Sequence, residues 1–141
     1  MSRAVVIGAG PGIGRAVAQR FAREGLPVAV LARRQATVDD TAAAHVAPQM
    51  AARGSGSILL TGGMPEPVAA YTSLSLGKAG LRTLAALLHE HLGPQGVHVA
   101  TVTVGGYVEP GGDYDPDDIA EHYWRLHRQR PEEWELEVRH G

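Results

Sequence analysis

The chain contains no cysteine. Disulfides, thiol nucleophiles and thiolate metal ligands are therefore excluded, and the composition suits a reducing cytoplasm. An excess of one charge is also missing: 13 Lys and Arg against 15 Asp and Glu leave a net charge of −2 with His neutral. So balanced a chain is not expected to partner nucleic acid or an anionic membrane. No apolar run approaches the roughly 18 residues that a membrane span needs. Met1-Ser2-Arg3 leads straight into a short strand pattern rather than a signal-peptide core. Internal repeats and low-complexity tracts are lacking as well. The 141 residues are expected to form one domain, 1–141. A chain of that size buries roughly 68–70% of its unfolded surface and needs no staple.

What the chain does have is glycine, concentrated at one place. Gly8-Ala9-Gly10-Pro11-Gly12-Ile13-Gly14 follows directly on Ala4-Val5-Val6-Ile7. Glycine loses more backbone freedom on folding than any other residue, so such a cluster calls for a reason.

The surrounding pattern is alternating strand and helix. Ala4–Ile7 and Val28–Leu31 are short continuous apolar runs, as in strands buried on both faces of a parallel sheet. Between them Ile13, Val17 and Phe21 recur at helical spacing, with Gly25 and Pro27 beyond as an ordinary helix ending. Thr37–Ala52 reads as an Ala-rich helix, interrupted or bent near Pro48, and Ser57–Thr61 as a third buried strand. A loop over Gly62–Ala70 precedes a long helix, from about Ser73 to Leu92, whose stripe is Leu74, Leu81, Leu84, Leu88 and Leu92. Val97–Val104 predicts a fourth strand. Asp115-Pro116-Asp117-Asp118 is a strong helix start, and Ile119, Tyr123 and Leu126 form that helix's buried face. Trp134–Arg139 alternates apolar and charged, as in a half-exposed edge strand.

Spacing decides which glycine loop this is. The common dinucleotide fingerprint places glycine at the first, third and sixth positions, and the sixth counted from Gly8 is Ile13. Gly8-x-x-x-Gly12-Ile13-Gly14 is a different spacing, in which the backbone approaches a pyrophosphate at the helix N-terminus. A plain strand-to-helix turn is the alternative.

At this point the sequence resembles the short-chain dehydrogenase/reductase family, which carries T-G-x-x-x-G-I-G here, with Ile7 standing in place of the Thr. Ser55-Gly56-Ser57-Ile58-Leu59-Leu60 and Gly77-Lys78-Ala79-Gly80-Leu81-Arg82 are further matches. The resemblance falls in two blocks, residues 1 to about 38 and about 43 onward. The family's third and fourth strands, and the Asn-Asn-Ala-Gly turn, have no counterpart. Taking those two strands from the family's order leaves, after renumbering, 2-1-3-4-5. The resemblance therefore implies a three-layer, Rossmann-like doubly wound α/β fold with five parallel strands in the flavodoxin-like order. Strand exchange between chains is the rival arrangement.

The resemblance also implies a cofactor, NADP(H). Gly8, Gly12, Ile13 and Gly14 would hold its pyrophosphate. Arg33 and Arg34 follow the second strand where an acid would select NAD, and arginine there accommodates a 2′-phosphate; two solvated basic residues are the alternative. Lys78 matches the family lysine that holds the nicotinamide ribose.

The catalytic end departs from the family. A Tyr is due four residues before Lys78, where the cation helps the phenol give up its proton; Leu74 stands there. Tyr71 and Ser75 are the nearest substitutes, so Lys78, Tyr71 and Ser75 are the catalytic candidates. The family Ser falls near Gly62 and Gly63. The pairs His89/His91 and His122/His127 read as surface histidines, and no metal site is expected. Two functions remain open. One is an atypical NADP-dependent oxidoreductase acting weakly on a small-molecule carbonyl or alcohol. The other is a non-catalytic NADP-binding module or an inert scaffold. A homo-oligomer is expected from the leucine excess of the long helix, which builds a dimer interface in the resembled family, and a cytoplasmic location from the lack of cysteine.

Overall fold

The computed structural model describes residues 3–8, 10–31 and 36–141, with side-chain surroundings for 3–8, 10, 12–29 and 44–141. Five parallel strands form one sheet: β1 (Ala4–Ile7), β2 (Val28–Leu31), β3 (Gly56–Gly63), β4 (Val97–Val104) and β5 (Glu137–His140), in the order β2-β1-β3-β4-β5. The expected order is thus found, and β3 lies against β1 within the chain, with Ile7 level with Leu60. Strand exchange is not needed to close the sheet.

Four helices cover the two faces. α1 (Pro11–Arg23) and α4 (Pro116–Arg128) lie on one, α2 (Ala36–Arg53) and α3 (Thr72–Leu92) on the other. The pleat divides each strand between them. Val6, Leu59 and Val102 pack under Val17, Phe21, Ile119 and Tyr123, while Ile7, Ile58, Leu60 and Val99 pack under Met50, Leu81 and Ala85. This double coverage explains the continuous apolar runs of β1, β3 and β4, whereas β2, expected to be buried on both faces, is an edge strand with Val28 half-buried and Ala29 exposed. α2 is one helix running through Pro48, not interrupted there, and it carries the chain from edge strand β2 across β1 to β3. Its Met50 fits closely at the start of β3. Gly56 has φ +148°, and a Cβ there would fall 2.6 Å from Met50 Sδ.

Three local expectations need correction. The α3 stripe is Leu81, Leu84, Ala85, Leu88 and Leu92, as expected apart from the added Ala85, while Leu74 is 49% exposed. β5 begins at Glu137, not Trp134. Trp134 instead stacks on the buried His98 with ring centroids 4.8 Å apart, and its indole N–H donates to Gln129 O. Third, His91 is exposed as expected, but His89, His122 and His127 are half-buried and bonded. His89 Nδ1 meets Val99 O at 2.8 Å, His127 Nδ1 meets Ser57 Oγ at 2.8 Å, and His122 Nε2 meets His140 Nδ1 at 2.9 Å. Burial pulls the His127 and His122 pKa values below the usual range.

Candidate functional site

The chain leaves β1 toward the α1 face and β3 toward the α3 face, so the strand order reverses between β1 and β3. A crevice opens outside the carboxyl ends of strands at such a switch point. The glycine loop enters it. Gly8 has φ +82°, a left-handed conformation that glycine adopts without steric cost. Gly10 is the N-cap of α1, Pro11 occupies the first turn, and no side chain caps the helix. No acidic residue lies in that first turn. The helix start therefore presents uncapped N–H donors and a partial positive charge.

Two glycines of this loop are not demanded by the protein itself. Gly10 has an extended φ of −70°, and a Cβ there would meet nothing within 4 Å. A Cβ at Gly12 would lie 3.7 Å from Pro116 Cγ and 3.9 Å from Val108 Cγ1, which is ordinary contact. Neither conformation nor internal crowding accounts for them. Ile13 turns its side chain into the core beside Val17, leaving only its backbone to the loop.

The register places the other candidates on the same crevice. Because Ile7 is level with Leu60, Gly8 comes level with Thr61. The Thr61 carbonyl accepts from Lys78 Nζ at 3.4 Å. Lys78 is thus anchored at the end of β3, the strand next to the one that leads into the glycine loop. A Cβ on Gly63 would lie 3.8 Å from Lys78 Cε, whereas one on Gly62 would lie 3.0 Å from the Thr103 hydroxyl. Gly63, not Gly62, is therefore the position that looks toward the lysine.

The remaining candidates are placed differently. Ser75 is 8% exposed and already engaged, with its Oγ accepting from Val68 N–H at 3.0 Å and donating to Val68 O at 3.2 Å. Tyr71 precedes the first residue of α3 and is 60% exposed. Leu74 holds the place one helical turn before Lys78 with an apolar side chain. Arg33 and Arg34 lie outside the described residues. No group of three or more metal-ligating side chains occurs among the described residues.

Three features near Lys78 went unforeseen. Arg82 Nη1 donates to Gly63 O at 3.0 Å and Met64 O at 3.1 Å. Met64 carries φ +46°, the one positive value among described non-glycine residues. Thr103, 1% exposed, donates to Glu137 Oε2 at 2.8 Å. Burial pushes the Glu137 pKa up, but hydrogen bonds from Arg139 and Thr103 outweigh it and hold the carboxyl low. Their only sequence signal was Gly77-Lys78-Ala79-Gly80-Leu81-Arg82, which includes Arg82 without giving it a partner.

Comparison with known proteins bears on the same region. Residues 2–45 match the family model for short chain dehydrogenase. No protein of curated function matches the chain in sequence. Among solved structures, a short-chain dehydrogenase from Rhodopseudomonas palustris is similar at 22% identity and TM-score 0.71, over 98% of this chain and 97% of that one. Serine dehydrogenase from Escherichia coli gives 16% identity and TM-score 0.78, over 97% and 96%. A metagenomic short-chain oxidoreductase in complex with NADP gives 20% and 0.68, over 99% and 97%. The resemblance read from the sequence therefore holds: the glycine-loop block matches the family model, and the chain takes the fold of solved short-chain dehydrogenases.

Proposed function

We propose that this chain, a shortened member of the short-chain dehydrogenase/reductase family, binds NADP(H) in the crevice between β1 and β3 and turns over ordinary carbonyls slowly or not at all. The observation that carries the reading is the loop itself. Gly10 and Gly12 lack side chains that the fold would tolerate, at an uncapped helix start. An approaching pyrophosphate explains both, since it needs bare backbone and free N–H donors there. Gly8, Gly12, Ile13 and Gly14 supply that backbone. Arg33 and Arg34 supply the 2′-phosphate partner, and Lys78 a donor to the nicotinamide ribose.

When bound, NADPH would supply a hydride; the protein has to supply a proton to the developing alkoxide. Lys78 is in reach of the crevice, but neither Gly63 nor Leu74 offers a hydroxyl beside it. Ser75 is held by the Val68 backbone, and Tyr71 stands at the solvent-exposed start of the helix. Those four placements favour a non-catalytic NADP-binding module as the second reading. A calorimetric titration with NADPH and NADH, followed by a carbonyl panel, tests both. No binding of NADPH at millimolar concentration would leave only an inert scaffold.

A cytoplasmic homo-oligomer belongs to the same proposal. Leu76 and Leu87 on α3 are 70% and 61% exposed, more apolar surface than one covered face requires. No described helix is long and apolar enough to cross a membrane. Light scattering at micromolar concentration should give at least a dimer mass, and a monomer mass would refute it.

A further inference from the structure

The turn after β3 holds an unfavourable conformation in contact with two side chains of α3: Arg82 binds its backbone, and the Ser75 hydroxyl reaches Met64 Sδ at 3.9 Å. Met64, at φ +46°, occupies the left-handed region that L-residues other than Asn and Asp seldom visit. Such outliers persist only where the surroundings over-determine them, and they cluster at functional sites. Here the surroundings are specific. Arg82 Nη1 donates to the carbonyls of Gly63 and Met64, the two residues on either side of the bend. At the far end of the same loop, Ser75 Oγ bridges the N–H and C=O of Val68. Ser75, Lys78 and Arg82 are spaced along α3 so as to share one face. The lysine therefore sits between two side chains that fasten the loop to the helix, and Gly63 is turned toward its Cε.

We infer that Arg82 is a positioning residue of the nucleotide crevice: it holds the strained Gly63-Met64 turn so that the bare Gly63 face stays opposite Lys78. The inference rests on the nucleotide reading above for what the crevice receives. Without Arg82 the two carbonyls lose their donor, and Met64 relaxes to negative φ, which redirects the peptide beside Lys78. Glycine at position 64 adopts the same φ without strain, so it should keep the turn in place when the arginine is gone.

The test uses four proteins: unmodified, Arg82→Ala, Met64→Gly and the double variant. Amide hydrogen exchange over residues 63–68 reads the turn, and NADPH calorimetry reads the site. Arg82→Ala should speed exchange and weaken NADPH roughly tenfold or more, the ratio that a strain of this class corresponds to. The double variant should recover both to within about threefold of Met64→Gly alone. Unchanged exchange in Arg82→Ala, or no recovery in a folded double variant, overturns the clamp whether or not NADPH binds. Faster exchange with unchanged NADPH affinity overturns the positioning role and leaves a merely structural one. Absence of NADPH binding by the unmodified protein, with exchange as expected, refutes the nucleotide reading and leaves the clamp standing.

Discussion

Replacing Gly12 by alanine should make the protein more stable and its nucleotide binding worse. Gly12 lies in the first turn of α1, where alanine is favoured over glycine by roughly 0.5–1 kcal/mol through lost backbone entropy of the unfolded chain. The new methyl would meet Pro116 Cγ at 3.7 Å and Val108 Cγ1 at 3.9 Å, contacts that cost nothing and add a little dispersion. The fold therefore gains. A pyrophosphate seated on the same backbone loses, because the methyl stands between the anion and the N–H donors of the turn. One charge-assisted hydrogen bond is worth roughly 1.5–3 kcal/mol, or about tenfold to hundredfold in dissociation constant. Urea unfolding and NADPH calorimetry on the same two samples read the two effects separately. Opposite signs are expected. A Gly12→Ala protein that is less stable would mean that the turn needs glycine for its own sake, and one that binds NADPH unchanged would remove the loop from the site.

Further outcomes follow from the same geometry. Arg33→Asp with Arg34→Ala should abolish a tenfold to hundredfold preference for NADPH over NADH, the worth of one good phosphate contact; equal affinities in the unmodified protein would refute the assignment. Leu74→Tyr with Gly63→Ser should raise NADPH-dependent carbonyl reduction by about 10²–10⁴, the usual contribution of a positioned acid. Gly63 is the better site for the serine, since a Cβ at Gly62 would press on the Thr103 hydroxyl at 3.0 Å. Turnover by the unmodified protein at about 1–10³ per second would contradict the reading, since it would require an acid elsewhere. Acidification should destabilise the fold. Burial lowers the pKa of His98, His122 and His127 below the ordinary 6.5, so the unfolded chain binds more protons and stability is lost as pH falls through that value. His98 is the most finely balanced case: burial lowers its pKa, but its two nitrogens face Leu126 O at 3.1 Å and Glu135 O at 2.8 Å, which favour the protonated ring. A neutral imidazole donates to only one of them. An unfolding midpoint that rises from pH 8 to pH 5 would show that the two carbonyls outweigh burial.

The fold was legible because its signals are local and redundant. Ala4–Ile7 and Val28–Leu31 read as strands, and the structure ends both where the sequence does; Ala4–Ile7 is buried throughout, whereas Val28–Leu31 lies at the sheet edge with Ala29 exposed. Asp115 accepts from Asp117 N–H at 2.8 Å, as its place before Pro116 implied. The errors came where tertiary contacts override a pattern. Trp134 alternates as a strand residue would, but stacking on a buried imidazole holds it outside the ladder. Leu74 continues the leucine spacing of α3, but in the first turn of the helix it is Ser75 that is buried, and Leu74 meets solvent.

The site divides along a different line, between what backbone does and what side chains do. A glycine loop works through N–H groups and the absence of Cβ atoms, so its sequence carries the whole device, and its position after β1 is enough to place it in the crevice. The reacting end depends on which side chain points where, and that depends on how the end of β3 meets α3. Alternation alone puts Gly62 on the α3 side of the sheet, with Ile58 and Leu60. Gly63 closes the β3 ladder level with Val104, where a Cβ would lie 3.8 Å from Lys78 Cε, and Arg82 binds the carbonyls of Gly63 and Met64 just beyond. The same division argues for binding without efficient turnover. On the proposed reading, pyrophosphate recognition would need only the backbone of the loop, whereas proton transfer would need a hydroxyl beside Lys78, where Gly63 and Leu74 stand.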